Sequence, residues 1–343
     1  MKTSNVLTDY IEFPGKLPVK HKILYMLLES QDKFLSWNDI GDKAGISGPG
    51  VRGNIKNLLD DGFPVETTTE RGCRISGKQD ILFPSRIHEH LETQVLGRKI
   101  LYTLSTTSTN DDARLVANGH PGGTLLTCET QTQGKGRLGR QWESPRGGIF
   151  LSLILKPEIQ PAKVPSLSLV AGYATAKTLQ SLGLDALVKW PNDVLVHGRK
   201  LAGILCEISA EPDRVAHVIV GIGVNANVSK TRMPGPVRER STSILDELGK
   251  YVDRNVLIAG LLNNFEAYYF RFLESGMQTL IPEIQEIMAY VGSPVIIHNT
   301  AFGSVETQHG ILRGLDKHGR LLVLASTGEI KTYTAGDVSL RLE

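Results

Sequence analysis

Apolar residues recur along this chain with two different periods, and the places where the period changes divide it into regions. Ile23, Leu24, Met26, Leu27 and Leu28 crowd into a run that predicts a helix. Ser36-Trp37-Asn38-Asp39 follows as a capping start, with Ile40 and Ala44 facing inward and Gly45 as the stop. Ile46-Ser47 leads into a third helix that carries Val51, Ile55, Leu58 and Leu59 at helical spacing. Residues 64–76 then alternate as strand, turn and strand. Three helices and a two-stranded wing predict a winged helix-turn-helix domain over residues 1–80.

A linker is expected over 81–104, with a short helix around Arg86-Ile87-His88-Glu89-His90-Leu91-Glu92. From 105 to 289 strands and helices interleave. Residues 125–130, 148–155, 186–196, 201–208 and 217–226 read as strands. Leu169, Tyr173, Ala176 and Leu179 form one stripe of a helix that begins near Ser166. Leu257, Leu261, Leu262, Phe265 and Tyr269 do the same over 256–275. The pattern predicts an α+β domain, a mixed sheet with helices on one side. Residues 290–343 are strand and turn throughout, with strands at 294–298, 310–315, 321–324 and 329–333, and predict a small SH3-like β-barrel.

Composition narrows the setting. In 343 residues, 41% are hydrophobic and 22% charged, which is ordinary for a globular protein. No apolar run reaches the roughly 18 residues of a membrane span, so no membrane partner is expected. The first ten residues lack the apolar core of a signal peptide. Cys73, Cys128 and Cys206 are odd in number and far apart, which argues against a disulfide framework or a zinc knuckle and for a reduced cytoplasm. His88 and His90 have no third ligand nearby in sequence, so a solvated helix accounts for them and no metal site is expected.

The chemistry concentrates in two segments. Gly134 to Arg140 holds three glycines, one Lys and two Arg in seven residues. Such a run destabilises any helix or strand, because each glycine loses more conformational freedom on folding than other residues do. Cations beside exposed backbone N–H groups suit an anionic ligand. A solvated surface turn has the same composition, but a loop hung between two core strands is placed like a binding loop. Gly134-x-Gly136-x-x-Gly139 and Gly48-x-Gly50-x-x-Gly53 both fit a dinucleotide fingerprint, but two matches in one chain show how weak the pattern is, and Arg-Gln-Trp-Glu-Ser-Pro-Arg-Gly-Gly after Gly139 is loop where the fingerprint needs a helix. The absence of Gly-Lys-Ser/Thr excludes a P-loop. The second segment is Lys189-Trp190-Pro191-Asn192-Asp193, a Lys and an Asp around a Trp-Pro corner.

With Ser108-Thr109-Asn110, Gln131, Lys200-Leu-Ala-Gly-Ile-Leu-Cys-Glu207 and Gly221-Ile-Gly-Val-Asn-Ala-Asn227, these segments resemble the biotin–protein ligases that double as biotin operon repressors. Five motifs match in order from Ser108 to Asn227. Lys135 stands where that family usually has Arg, which keeps the charge and loses the planar fork.

The resemblance implies a fold related to class II tRNA synthetases, with ATP and Mg²⁺ as cofactors and biotin as substrate. It implies a biotin carboxyl carrier protein as acceptor, a homodimer when biotinyl-AMP is bound, and operator DNA as a partner. Lys189 and Arg137 are the implied catalytic residues. Ser108, Thr109, Asn110, Gln131, Gly134, Lys135, Gly136, Arg137, Lys189, Gly203 and Asn225 are the implied biotin and adenylate contacts. On this reading Arg137, Lys135 and the Gly136 N–H hold the carboxylate and phosphate, and Lys189 donates to the adenylate as charge develops. Neutral Ser108, Thr109, Asn110 and Gln131 suit the ureido ring, although Ser-Thr-Asn before Asp111-Asp112 also fits a helix cap. Trp142 suits a pocket wall or plain core equally. Asn192 and Asp193 suit Mg²⁺ or the orientation of Lys189.

Two alternatives stay open. A lipoate or octanoyl ligase would use the same scaffold. The winged helix, for its part, could be architectural. Ser47, Arg52, Asn54, Lys56, Arg71 and Arg74 are the candidate DNA contacts, but residues 1–85 hold 11 Lys/Arg against 11 Asp/Glu. Gly48, Pro49, Gly50 and Gly53 also occupy the recognition helix, where each interior glycine costs roughly 1 kcal/mol.

Overall fold

The computed structural model describes residues 10–30, 32–77, 80–210, 214–229, 231, 233–299, 306–334 and 338–342. The first nine residues of the expected 1–80 domain therefore lie outside the described residues. The chain divides into two compact units, one spanning Ile11–Ile81 and the other containing Tyr10 and Leu82 onward.

The first unit opens with β1 (Ile11–Phe13), then α1 (Val19–Glu29), α2 (Trp37–Ala44) and α3 (Gly48–Asp60), and closes with β2 (Val65–Thr68) and β3 (Gly72–Ile75). The Ser36 side chain accepts from the Asp39 N–H at the start of α2, and Gly45 ends it at φ 74°. Ile23, Leu24, Leu27, Ile40, Val51, Ile55 and Leu58 form the core, all nearly inaccessible to solvent. β2 and β3 pair antiparallel from Val65–Ile75 to Thr68–Gly72. Pro49 is tolerated because it lies in the first turn of α3, where its missing N–H has no helical partner to lose.

The second unit holds α4 (Pro84–Glu89), β4 (Ile100–Thr106), α5 (Thr109–Val116), β5 (Leu125–Gln131), β6 (Ile149–Leu155), α6 (Pro165–Gln180), β7 (Ala186–Lys189), β8 (Asp193–Val196), β9 (Arg199–Ala210) and β10 (Val215–Val224). It continues with α7 (Gly235–Arg238), α8 (Ile244–Leu248), α9 (Arg254–Ser275) and α10 (Ile281–Glu286). Its large sheet runs β4-β5-β6-β10-β9-β8-β7, with β4 and β5 parallel and the other pairs antiparallel. The last region, β11 (Pro294–Asn299), β12 (Glu306–Leu315), β13 (Leu321–Ala325), β14 (Ile330–Tyr333) and β15 (Val338–Leu342), forms a separate five-stranded antiparallel sheet. Among the described residues no helix is long and apolar enough to cross a membrane.

Three expectations need correction. The stretch 81–104 is not a free linker from Leu82 on. The Leu82 N–H donates to Glu129, the N–H groups of Gln94, Val95 and Leu96 donate to Glu266, and β4 already begins at Ile100. Carboxylates far along the sequence capture this backbone, and no local pattern signals that. The single strand expected over 186–196 is a hairpin of β7 and β8, in which Lys189 pairs with Asp193. Helices also cover both faces of the sheet. α5 packs Ala113 and Val116 on Leu101, Leu126, Ile154 and Ile219. Gly172 of α6 lies over Ile204, which points to the face opposite Leu205 because successive strand residues alternate.

The face under α5 carries the larger consequence. Gly203, Leu205 and Glu207 of β9 share it with Ile219, Gly221 and Gly223 of β10. A Cβ on Gly221 would fall 2.1 Å from Asn110 Oδ1, and one on Gly223 would fall 2.6 Å from the Trp142 ring. Glycine at these two positions opens a floor onto which α5 and the 134–140 loop can settle.

Candidate functional site

A cavity lies on that floor. It is lined by Ser108, Thr109 and Asn110 at the start of α5, Gln131 at the end of β5, and Lys135, Gly136 and Arg137 of the loop. Trp142, Asn192, Lys200 and the Gly203–Leu205 and Gly221–Gly223 segments complete it. Eight of the residues expected to contact ligand therefore converge from positions far apart in sequence: Ser108, Thr109, Asn110, Gln131, Lys135, Gly136, Arg137 and Gly203.

Ser108 occupies the cap position of α5, but its hydroxyl makes no cap bond, so the capping reading holds for backbone only. Gln131 is held between neighbours: its Oε1 accepts from the Thr109 N–H (2.9 Å) and its Nε2 donates to Ser144 Oγ (2.8 Å). Asn110 Nδ2 donates to Glu207 (2.8 Å) and Ser152 Oγ donates to Asn110 Oδ1 (2.6 Å). These groups are neutral, Ser108, Thr109 and Asn110 buried and Gln131 half-buried, and the partners of Asn110 and Gln131 fix them in place, which suits recognition of a neutral polar ring.

The charged loop is fastened at both ends. Lys135 Nζ meets Asp111 Oδ1 of α5 at 2.6 Å, and Arg137 Nη1 donates to Asn192 Oδ1 at 2.9 Å. Around these anchors the backbone closes on itself. The Gly136 N–H donates to Arg140 O (2.7 Å), the Trp142 N–H donates to Gly134 O (2.8 Å), and Leu138 takes a left-handed φ of 57°. Lys135 and Gly136, expected to hold an anion, both line the cavity; the Gly136 N–H bonds within the loop and the Lys135 ammonium pairs with Asp111. Gly134 does not line the cavity; a Cβ there would meet Trp142 O at 2.4 Å, so glycine permits the turn.

Lys189 lies at the end of β7, across the hairpin from Asp193. It is absent from the lining and reaches Asp193 Oδ2 at 3.7 Å. Lys200 lies in the cavity instead, with Nζ 2.5 Å from Asp193 Oδ1 and 5.1 Å from the Trp142 ring centroid. Sequence reasoning treated Lys200 only as the first letter of a motif. The usable signal was its place two residues after the Gly198 turn (φ 74°), at the edge of the glycine floor. Trp142 is a cavity wall. Trp190 is core, 1% exposed, with its indole N–H donating to Gly319 O (3.1 Å). Burial pushes the Cys206 thiol up to about 12, which removes it as a nucleophile near neutral pH.

Asn225 lies outside the first cavity. Its Nδ2 donates to Thr242 O (3.0 Å), and it lines an adjoining cavity with Gln141, Met233 and Val237. Trp142 and Lys200 line both cavities and join them.

The oxygen atoms nearest the cavity do not fit a protein-held Mg²⁺. Asp193 faces Lys189 and Lys200, Asn192 Oδ1 accepts from Arg137, and no cluster of three metal-ligating side chains occurs among the described residues. Mg²⁺ wants octahedral oxygen ligands, usually with substrate phosphates supplying several.

In the winged-helix unit, Ser47 caps α3 without a side-chain bond, and Arg52 and Lys56 are exposed on α3. Asn54 donates to Gly50 O of its own helix (2.9 Å). Arg71 and Arg74 flank the Phe34 ring at 4.5 and 4.7 Å, and Arg74 also pairs with Glu66 at 2.7 Å. The basic surface on α3 and the wing is thus thin, and Arg74 is already committed.

Comparison with known proteins follows the same division. The family model for the biotin/lipoate A/B protein ligase family matches residues 100–225, the biotin protein ligase C terminal domain matches 303–341, and an HTH domain matches 19–74. The chain is 34% identical over 325 residues to the bifunctional ligase/repressor BirA of Bacillus subtilis, covering 94% of this chain and 98% of that one. It is 32% identical over 316 residues to the protein of the same name from Escherichia coli, covering 92% and 95%. The biotin protein ligase from Aquifex aeolicus, solved in complex with biotin and ATP, superposes with a TM-score of 0.63 at 30% identity, covering 71% of this chain and 99% of that one.

Proposed function

The chain belongs to the biotin–protein ligase family, and from that premise we propose that it condenses biotin with ATP to biotinyl-5′-AMP and passes the biotinyl group to a lysine of a carrier protein. The observation that carries the reading is the union of two unlike surfaces in one cavity. Neutral groups on α5 and β5 share its lining with the cations Lys200 and Arg137.

A carboxylic acid will not acylate an amine in water without activation. The biotin carboxylate attacks the α-phosphorus of ATP, and pyrophosphate leaves. A carrier lysine then attacks the mixed anhydride, and AMP leaves with the bond electrons. Negative charge grows first around phosphorus and then at the tetrahedral carbonyl oxygen. A cation already fixed where that charge appears lowers the barrier without reorganisation. Lys200 is such a cation, held by Asp193 at the junction of the two cavities. The biotin ring then takes the α5 end, and the adenosine takes the adjoining cavity, where Trp142 offers a flat wall and Asn225 a polar edge. The fastened loop shields the adenylate from water. Mg²⁺ enters with the phosphates of ATP, and no step is assigned to it.

The winged helix makes the chain a biotin-responsive repressor as well. Its exposed Arg52 and Lys56 give one copy few phosphate contacts, so one copy binds DNA weakly. Two copies on a two-fold operator make the second contact intramolecular and raise the apparent affinity. Homodimerisation with biotinyl-AMP bound supplies the two copies. Operator binding measured with and without biotin and ATP, alongside sedimentation, tests this half. Tighter binding with a doubled mass is expected; ligand-independent or absent binding with unchanged mass leaves only the ligase.

A further inference from the structure

Ser152 is fully buried in the otherwise apolar run Ile149-Phe150-Leu151-Ser152-Leu153-Ile154-Leu155, and it does not line the cavity. Glu207 lies across the floor on β9. Neither contacts a ligand in the site described above, yet together they close a hydrogen-bond chain behind its wall.

The direction of that chain follows from counting protons. A carboxylate and a backbone carbonyl only accept, so the Asn110 amide turns its NH₂ toward Glu207 (2.8 Å) and Leu205 O (3.4 Å). Asn110 Oδ1 must then face Ser152, where it accepts the serine's one proton at 2.6 Å. Ser152 Oγ is also 2.8 Å from Thr109 Oγ1. With the serine proton already committed, two oxygens at that distance repel unless Thr109 donates its own. The alternative acceptor for Thr109, Gln131 Oε1, is farther at 3.1 Å and already accepts the Thr109 N–H. The Thr109 hydroxyl therefore points its proton into the wall and leaves its lone pairs to the cavity it lines. Gly221 is required for this arrangement, since any Cβ there would overlap Asn110 Oδ1.

We propose that Glu207 and Ser152 are positioning residues that set Thr109 as a hydrogen-bond acceptor, so that the cavity selects a ligand ring bringing an N–H to that point. The inference rests on the biotin reading, in which the ring is a cyclic urea with two N–H groups. It deepens that reading by naming which chain residues decide donor against acceptor. A buried acceptor facing a ring oxygen is left unpaired, which is the situation in which polar sites discriminate most strongly.

The test is calorimetric binding of biotin and of the two cyclic-carbamate analogues in which one or the other ureido N–H is replaced by a ring oxygen. The full chain is used, as wild type and as Ser152→Ala, Glu207→Leu and Glu207→Gln. Wild type should bind one analogue at least about 10-fold more weakly than biotin. Ser152→Ala frees the Thr109 proton and Glu207→Leu frees the Asn110 amide to turn, so both should narrow that ratio about 10-fold. Glu207→Gln still accepts through Oε1 and should keep the wild-type ratio. Thermal melts identify any variant that has simply unfolded, and the two disruptive changes lie on different strands. Equal loss of affinity for all three ligands in both disruptive variants would make the chain merely structural and overturn the proposal. So would a wild type indifferent to the N–H replacement. A wild type that binds no biotin at all would instead remove the biotin reading on which the inference stands.

Discussion

Lys200 Nζ sits 2.5 Å from Asp193 Oδ1, and this pair puts a cation at the meeting point of both cavities. Lys189 pairs with Asp193 across the β7–β8 hairpin but approaches the carboxylate only to 3.7 Å and stays out of the cavity. One acid thus serves two lysines, of which Lys200 lines both cavities.

Lys200→Ala should lower the rate of adenylate formation by about 10²–10³, the usual loss for one positioned electrostatic donor, with little change in melting temperature. Lys189→Ala should cost less than about 10-fold, acting only through Asp193. Pyrophosphate release by the two variants, measured side by side, checks this; equal losses would return Lys189 to the site.

Arg137 fastens the loop through Asn192, so Arg137→Gly should let activated biotin escape. Mass spectrometry of bystander protein mixed with this variant, biotin and ATP should then find biotin on lysines indiscriminately. Labelling confined to the carrier would show that the loop does not retain the adenylate. Asn192→Ala should give a milder form of the same leak, since it removes the anchor and leaves the guanidinium.

Arg254 and Glu129 form an ion pair with both side chains at 0% exposure, 2.7 Å apart, and Arg254 also donates to Gly148 O. Removing one partner strands the other charge, so Arg254→Ala should destabilise the second unit by about 3–5 kcal/mol. Urea unfolding monitored by tryptophan fluorescence reads the loss.

Gly53 lies inside α3 at an ordinary helical φ, and a Cβ there would meet nothing within 4 Å. Gly53→Ala should therefore stabilise the winged-helix unit by about 0.5–1 kcal/mol. An unchanged urea midpoint would mean that α3 frays before the unit unfolds.

Burial, with Lys20 adding to it, pushes the His21 imidazole down to about 4. The unfolded chain takes up the proton near pH 6.5, while the folded unit stays neutral until about pH 4. Stability is thus intact above pH 6.5 and falls between those values, by up to about 1.4 kcal/mol per pH unit. His21→Leu should flatten the difference between unfolding midpoints at pH 7 and pH 5.

The helices of both units were legible in the sequence because α1, α3 and α9 each bury a stripe at helical spacing, while α6 is buried on nearly every side and apolar almost throughout. The convergence of Ser108, Gln131, Arg137 and Gly203 was legible only through motif order. What stayed hidden depends on residues distant in sequence. The capture of Leu82 by Glu129 and of 94–96 by Glu266 leaves no local periodicity. The pairing of Lys189 with Asp193 belongs to the β7–β8 hairpin, which the run of apolar residues over 186–196 conceals. The resemblance implied ligand contacts for Lys135 and Arg137 of the loop. In the folded chain Lys135 is spent on Asp111.

The most direct test of the account is transfer itself. The chain is incubated with ATP, labelled biotin and a biotin carboxyl carrier domain, with lipoate and octanoate in parallel, and the label on the carrier lysine is counted. The account predicts ATP-dependent biotin on that lysine with one pyrophosphate released per transfer, and no lipoyl or octanoyl transfer. An unlabelled carrier without pyrophosphate, or lipoyl transfer in place of biotin, would contradict it.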